Sequence, residues 1–178
     1  MLKGAVARRY AQALFDVGEE KGLLEVFQED LSDVVRVLTH PDVAQAMDSP
    51  KMTASTKRAL MRRFLGERNP YTLNFLDLLV SKNRTSFIRE IRESFRGLFN
   101  AHEGIAIAQV TTAVALAEDE QKKLSERLAE ITGRKVILEP KVNESILGGL
   151  VVRIGDRVID GSTITKLKAL RAELAGAA

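Results

Sequence analysis

Cysteine is absent from the chain, which excludes disulfides, thiolate nucleophiles and cysteine-bound metals and suits a reducing compartment. Histidine is nearly absent as well. His40 and His102 are the only two; each stands beside an expected helix end, and neither has a second ligand at metal-binding spacing. Long apolar runs are also missing. No stretch approaches the ~18 consecutive apolar residues of a membrane-crossing helix, and the opening MLKGAVARRY has neither the apolar segment nor the cleavage site of a secretory signal. The expectation is a cytosolic protein, mature as written, with no direct membrane insertion. Finally, no charge dominates: 27 Lys and Arg against 24 Asp and Glu leave a net +3, too weak a field to call for nucleic acid.

What the sequence does contain is periodicity. The 178 residues are 45% hydrophobic, normal for a globular chain of one ordinary domain or two small ones. Val6, Tyr10, Leu14 and Val17 recur at three- and four-residue steps, the signature of a helix with one buried stripe. A second stripe follows Gly22 through Leu24, Phe27, Leu31, Val34, Val35 and Leu38, and the His40-Pro41 step stops it. A short segment, Val43 to Met47, precedes Ser49-Pro50. Thr53 or Ser55 then suits the cap of a helix carrying Leu60, Met61, Phe64 and Leu65. Beyond Gly66 and Pro70, Leu73, Leu76, Leu79 and Val80 form another stripe, and Phe87, Ile88, Ile91, Phe95, Leu98 and Phe99 a longer one. About five or six helices with short connections make an all-α bundle over residues 1–104.

At Gly104 the period changes to two. Ile105, Ile107, Gln109 and Thr111 alternate with Ala106, Ala108, Val110 and Thr112, as in a strand. A helix from about Ala117 to Thr132 is expected next, with Leu124, Leu128 and Ile131 inward and Gly133 as its cap. Lys135 to Val142 reads as a strand that Pro140 pushes to a sheet edge. Leu150 to Ile154 and Arg157 to Ile159 make a hairpin through Gly155-Asp156, and Asp160 or Ser162 caps a final helix with Ile164, Leu167, Leu170 and Leu174. The expected fold class is α+β: the helical bundle, then a small α/β domain over residues 105–178 with a thin core.

The sequence is poor in chemistry. Acidic pairs such as Glu19-Glu20 and Glu118-Asp119-Glu120 fall on polar helix faces, where burial cannot tune them for acid–base catalysis. Gly148, Gly149, Gly155 and Gly161 are followed by no Gly-Lys-Ser/Thr and form no GxGxxG at a strand-to-helix turn, so strand ends, a hairpin and a cap explain them better than a phosphate loop. Arg62-Arg63 and the row Arg84, Arg89, Arg92 and Arg96 are able to track phosphates, but Glu90 and Glu93 beside that row favour a solvated, ion-paired face. A small bundle cannot bury every side of every helix. Tyr10, Leu14, Val17, Leu76 and Val80 are large enough to line a groove that accepts an amphipathic partner helix. The alternative function class is a nucleic-acid-binding helical regulatory module, whose affinity would fall steeply with salt.

Three stretches taken together, Val6 to Phe15 (VARRYAQALF), Phe75 to Arg84 (FLDLLVSKNR) and Leu147 to Leu170 (LGGLVVRIGDRVIDGSTITKLKAL), resemble the bacterial delta subunits of F-type ATP synthase, relatives of the mitochondrial oligomycin sensitivity-conferring protein. The last stretch is the most specific. The resemblance implies a non-catalytic stator protein without cofactor or metal, present as one copy in a hetero-oligomeric complex on the cytoplasmic face of the bacterial inner membrane. Such a protein links the alpha subunits of the catalytic head to the b-type peripheral stalk, so that proton-driven rotation is coupled to ATP synthesis. It further implies that an alpha-subunit amino-terminal helix docks between the first and fifth helices, around Tyr10, Leu14 and Val17 and around Leu76, Leu79 and Val80. The b-type subunits are expected near Val151, Arg153, Leu167 and Leu170.

Overall fold

Up to His102, wherever apolar residues recur every three or four positions, the chain is helical. The computed structural model describes the backbone of residues 2–49 and 51–176 and the side chains of residues 4–47, 49 and 51–169. The helices are α1 (Leu2–Lys21), α2 (Leu24–Leu38), α3 (Pro41–Asp48), α4 (Ala54–Leu65), α5 (Pro70–Ser81) and α6 (Ile88–His102), with a single 3-10 turn at Thr85–Phe87 before α6. After them come β1 (Ile105–Thr112), α7 (Glu118–Thr132), β2 (Lys135–Val142), β3 (Leu150–Ile154), β4 (Arg157–Asp160) and α8 (Thr163–Gly176). The class is α+β, and the chain divides into two compact units, Met1–Phe99 and Asn100–Ala178.

In the helical unit the boundaries follow from local chemistry. Thr53 caps α4, its Oγ1 accepting from the Thr56 amide at 3.2 Å, and Asn69 caps α5 by accepting from the Tyr71 amide at 3.0 Å, with Pro70 at the first helical position. Asn83 ends α5 in the left-handed conformation (φ 53°). The Arg84 amide then donates to the Leu79 carbonyl and that of Asn83 to Val80, a Schellman closure that reverses the chain direction. The core gathers Phe15, Phe27, Leu31, Val34, Leu76, Leu79, Ile91 and Phe95, and Phe15 meets Phe95 edge-on at 6.1 Å. α1 turns a different stripe inward from the one expected. Ala7, Ala11, Leu14 and Phe15 are buried, whereas Val6, Tyr10 and Val17 are only half-buried. Small residues permit this: a Cβ added to Gly18 would lie 2.8 Å from Leu24 and 3.0 Å from Phe27, so α1 approaches α2 more closely than any larger side chain allows.

One polar cluster is buried among these side chains. Asp30 on α2 is 5% exposed; it accepts from the Thr72 hydroxyl at 2.6 Å and from Arg68 at 3.3 Å. Arg68 also pairs with Asp33 at 2.6 Å and donates to the Leu65 carbonyl. The α4–α5 connection and the first turn of α5 are thereby tied to α2.

In the second unit β1 and β2 run parallel with α7 as their crossover, β3 is antiparallel to β1, and β4 to β3, giving the order β2-β1-β3-β4. Pro140 lies on the edge strand β2, opposite Val110, as its missing amide hydrogen requires. The buried face of β1 is Ala108, Val110 and Thr112, not the isoleucine face, because only small residues fit beneath Leu128 in so thin a core. Ser125 pins α7 to the sheet by donating to the Val136 carbonyl at 2.8 Å. Leu124 and Leu128 face inward as expected, but Ile131, in the last turn, lies beyond the small core and is 59% exposed. Gly133 caps α7 in the left-handed region. Gly149 (φ 76°) packs so tightly that a Cβ would lie 2.3 Å from the Gly161 carbonyl oxygen. The amides of Gly161 and Thr163 donate to the Leu150 and Gly148 carbonyls, so backbone lies against backbone here and the Gly161 N–H is not offered to an anion. Ser162 caps α8 by accepting from the Thr165 amide, and Asp160 accepts from the Ser162 amide and the Thr165 hydroxyl.

Two outcomes are expected. Asp30→Ala leaves Arg68 and Thr72 without their buried acceptor and should destabilise the helical unit by about 3 kcal/mol in urea unfolding; a loss below about 1 kcal/mol would mean the cluster is not a clamp. Hydrogen bonds from Ser162 and Thr165 hold the Asp160 carboxyl below its ordinary pKa. A depressed carboxyl stabilises the fold above the unfolded pKa of about 3.9 and loses that contribution as pH falls through the folded value. Helical ellipticity should therefore decline below about pH 4 in the wild type, and Asp160→Asn should flatten that decline.

Candidate functional site

An open apolar groove runs between α1 and α5. It has a volume of about 430 Å³ and is lined by Arg9, Tyr10, Ala13, Leu14 and Val17 from α1, by Tyr71, Phe75 and Leu78 from α5, and by Arg84 just beyond it. The two helices run in opposite directions, since Tyr10, in the first half of α1, meets Phe75 and Arg84, while Lys21, at the other end of α1, lies near Tyr71 in the first turn of α5. The residues at 71, 75 and 78 are spaced i, i+4, i+7, one face of a helix. Leu78 and Tyr71 are each 43% exposed and stand on one face of α5, so their apolar surface is presented to water as part of a single patch.

Tyr10, Leu14 and Val17 line this groove. Leu76, Leu79 and Val80 do not: at 1%, 0% and 6% exposure they belong to the core, on the side of α5 that continues from Phe75. α5 carries apolar residues on nearly every side, so a stripe read from spacing identifies a buried face without telling which of two it is. Tyr71, Phe75 and Leu78 were missed for that reason. The available signal was the surplus: a helix that still has an apolar i, i+4, i+7 row after its core face is counted has a second neighbour to satisfy.

The Tyr10 end of the groove is rigidly built. Arg84 donates from Nη1 to the Tyr10 hydroxyl at 2.8 Å, its guanidinium lies 5.4 Å from the centre of the Tyr10 ring, and that ring meets Phe75 edge-on at 6.1 Å. The left-handed Asn83 is what delivers Arg84 to this place.

In the second unit, Val151 and Arg153 project from the same side of β3, opposite the core residue Val152. Val151 is half-buried and Arg153 exposed. Their partners on β4 are Asp160 and Val158, the latter 60% exposed, so this is the open side of the sheet. Leu167 is on a separate element, α8, and is 52% exposed; the side chain of Leu170, like that of Leu174, lies outside the described residues.

The other titratable clusters are structural. Lys21 bonds to Glu20 at 2.8 Å and lowers that carboxyl's pKa, the reverse of what a general acid needs. His40 neighbours Asp42 at 3.7 Å and His102 neighbours Glu103 at 4.0 Å, and among the described residues no three His, Asp or Glu side chains gather to hold a metal. Of the arginines on α4 and α6, Arg62 pairs with Asp77 at 3.1 Å, Arg92 with Glu93 at 3.0 Å, and Arg96 with Glu93 at 3.9 Å.

Comparison with known proteins adds the following. Residues 6–174 match the family model described as the ATP synthase delta (OSCP) subunit. The ATP synthase subunit delta of Desulfitobacterium hafniense (strain Y51) is 36% identical over 179 aligned positions, covering 99% of this chain and 100% of that protein. Its counterpart in Nostoc sp. (strain PCC 7120 / SAG 25.82 / UTEX 2576) is 37% identical over 95% of this chain and 93% of its own. A chain in the cryo-EM structure of the Toxoplasma gondii mitochondrial ATP synthase hexamer has the same fold, with a TM-score of 0.72 over 98% of both chains at 24% identity.

The two faces of α5 should respond differently to charge. Leu76→Asp places a carboxylate in the core and should abolish cooperative unfolding. Leu78→Asp, at an exposed site, should shift stability by no more than about 1 kcal/mol. Thermal melts followed by circular dichroism decide this; equal loss at both positions would place Leu78 in the core.

Proposed function

Because the chain belongs to the ATP synthase delta (OSCP) subunit family, we propose that it is a non-catalytic stator subunit of a rotary F-type ATP synthase. Its helical unit holds the amino-terminal helix of an alpha subunit in the α1–α5 groove, and its second unit meets the carboxy-terminal ends of the b-type stalk subunits on the side of β3 that carries Val151 and Arg153, with Leu167 and Leu170 of α8 contributing. The observation that carries this reading is the groove, with Tyr10, Val17, Tyr71 and Leu78 reaching solvent around the buried Phe75 between two antiparallel helices. Such a furrow suits the apolar face of an amphipathic helix.

The task is mechanical. Rotation of the central shaft, driven by protons, exerts a torque on the catalytic head, and ATP is made only if the head is held against it. Anchoring must outlast many catalytic turns, so slow dissociation matters more than fast association. Large aromatic and aliphatic side chains supply that by being desolvated on docking, and the Tyr10, Phe75 and Arg84 cluster is ordered beforehand, which limits the entropy lost. No described helix is long and apolar enough to cross a membrane. Attachment to the cytoplasmic face of the bacterial inner membrane is therefore assigned to the partner subunits.

Calorimetry of the full chain with a synthetic alpha-subunit amino-terminal peptide tests the groove. Wild type should bind, and folded Leu78→Asp should bind at least about tenfold more weakly, the loss typical of a charged group in the centre of an interface. Undiminished binding by that variant would falsify the groove assignment.

A further inference from the structure

We propose that the α1–α5 groove selects for an acidic amphipathic helix, and that Arg84, with Arg9 beside it, receives a carboxylate on the flank of that helix. The inference rests on the docking reading above and adds to it what the guest must carry besides an apolar stripe.

The lining of the groove includes two arginines and no carboxylate. Both arginines lie at the Tyr10 end, and Lys82, exposed and one turn beyond Leu78, adds a third cation there. At the opposite end Lys21 is neutralised by Glu20 at 2.8 Å. Of the other carboxylates of the two helices, Asp77 pairs with Arg62 at 3.1 Å, while Asp16, which accepts from the neutral Gln12 amide at 2.7 Å, and Glu19 lie in the Lys21 half of α1, away from Arg84. Positive charge is thus concentrated at one end of an otherwise apolar furrow.

Arg84 is built to meet an anion. A guanidinium has five N–H donors in a fixed plane, and one of them is given to the Tyr10 hydroxyl while the ring beneath holds the group in place. A half-buried arginine ordered before docking loses little entropy when a carboxylate arrives, and the pairing is charge-assisted. The length of the furrow sets the register. Tyr10 to Val17 spans roughly 10 Å at about 1.5 Å per residue, or two turns of a guest helix. The guest therefore needs apolar residues at i, i+3 or i+4 and i+7, with an Asp or Glu on the flank at the end lying over Arg84.

The test is calorimetry of the full chain with a peptide of the first ~25 residues of the alpha subunit from the same organism's synthase, at about 50 and 300 mM NaCl, a range over which exposed charge is progressively screened. Wild-type affinity should fall several-fold with salt. Arg84→Gln should weaken binding roughly tenfold, the scale of a charge-assisted hydrogen bond, and remove most of the salt dependence. Arg9→Gln should do the same to a smaller extent. Changing one peptide Asp or Glu to its amide should reproduce the Arg84→Gln loss and add little to it, the mark of a direct pair. Tyr10→Phe keeps the ring and removes the anchoring hydroxyl; it should cost less than Arg84→Gln and leave the salt dependence in place. If Arg84→Gln does not fold, Arg9→Gln and the peptide substitutions decide alone. Salt-independent binding, unchanged by Arg84→Gln, Arg9→Gln and the peptide amides but lost in Leu78→Asp, overturns the acidic selectivity and leaves the docking groove standing. No binding of the peptide to the wild type removes both.

Discussion

The orientation of α5 about its own axis is the constraint on which the groove depends. Thr72 lies in its first turn and is held by the buried Asp30 carboxylate of α2, while at the other end Asn83 closes the helix and returns the chain toward α1. Fixed at both ends, α5 has no freedom to roll, so Leu76, Leu79 and Val80 stay inside, Tyr71 and Leu78 stay outside, and the buried Phe75 forms the floor of the groove. A helix with apolar residues on two faces is otherwise poorly specified by hydrophobicity alone, since either face lowers the free energy by similar amounts when buried. A buried hydrogen-bonded carboxylate breaks that near-degeneracy, because only one rotation satisfies it.

Much of this was legible in the sequence, and the misses share a cause. The helix-to-strand change at Gly104, the edge position of Pro140, the hairpin at Gly155-Asp156 and the caps at Thr53, Gly133 and Ser162 follow from rules that act within a few residues. The direction of a face does not. For α1, spacing selected Val6, Tyr10, Leu14 and Val17; Leu14 is buried, yet Ala7 and Ala11 share the inside with it, because close helix approach favours small residues and hydropathy ranks them low. The same preference put alanines beneath Leu128 on β1. The Asp30, Arg68 and Thr72 cluster spans 42 residues of sequence between its outer members and leaves no local signature at all.

The groove and the open sheet side differ in how much they specify. Around Tyr10 the arrangement is ordered by an aromatic contact, a cation stacked on a ring and a hydrogen bond, three directional interactions within one site. Around Val151 the sheet offers a flat surface of mixed character, with Val158 and Arg153 exposed beside it. A stator needs both a firm grip on the head and a tolerant seat for a long stalk, and the contrast between the two surfaces fits that division within the proposed role.

Pro140 has a consequence for solubility. An uncovered strand margin invites pairing with the same margin of another molecule, the usual route to ribbons and aggregates. β2 resists it with an imino residue flanked by Glu139 and Lys141, with Lys135 at its start. The far margin, β4, is only four residues long and ends in Arg157 and Asp160. Neither border of the sheet is a good template, so the unit can keep a largely bare β-surface for its neighbours without adhering to its own kind.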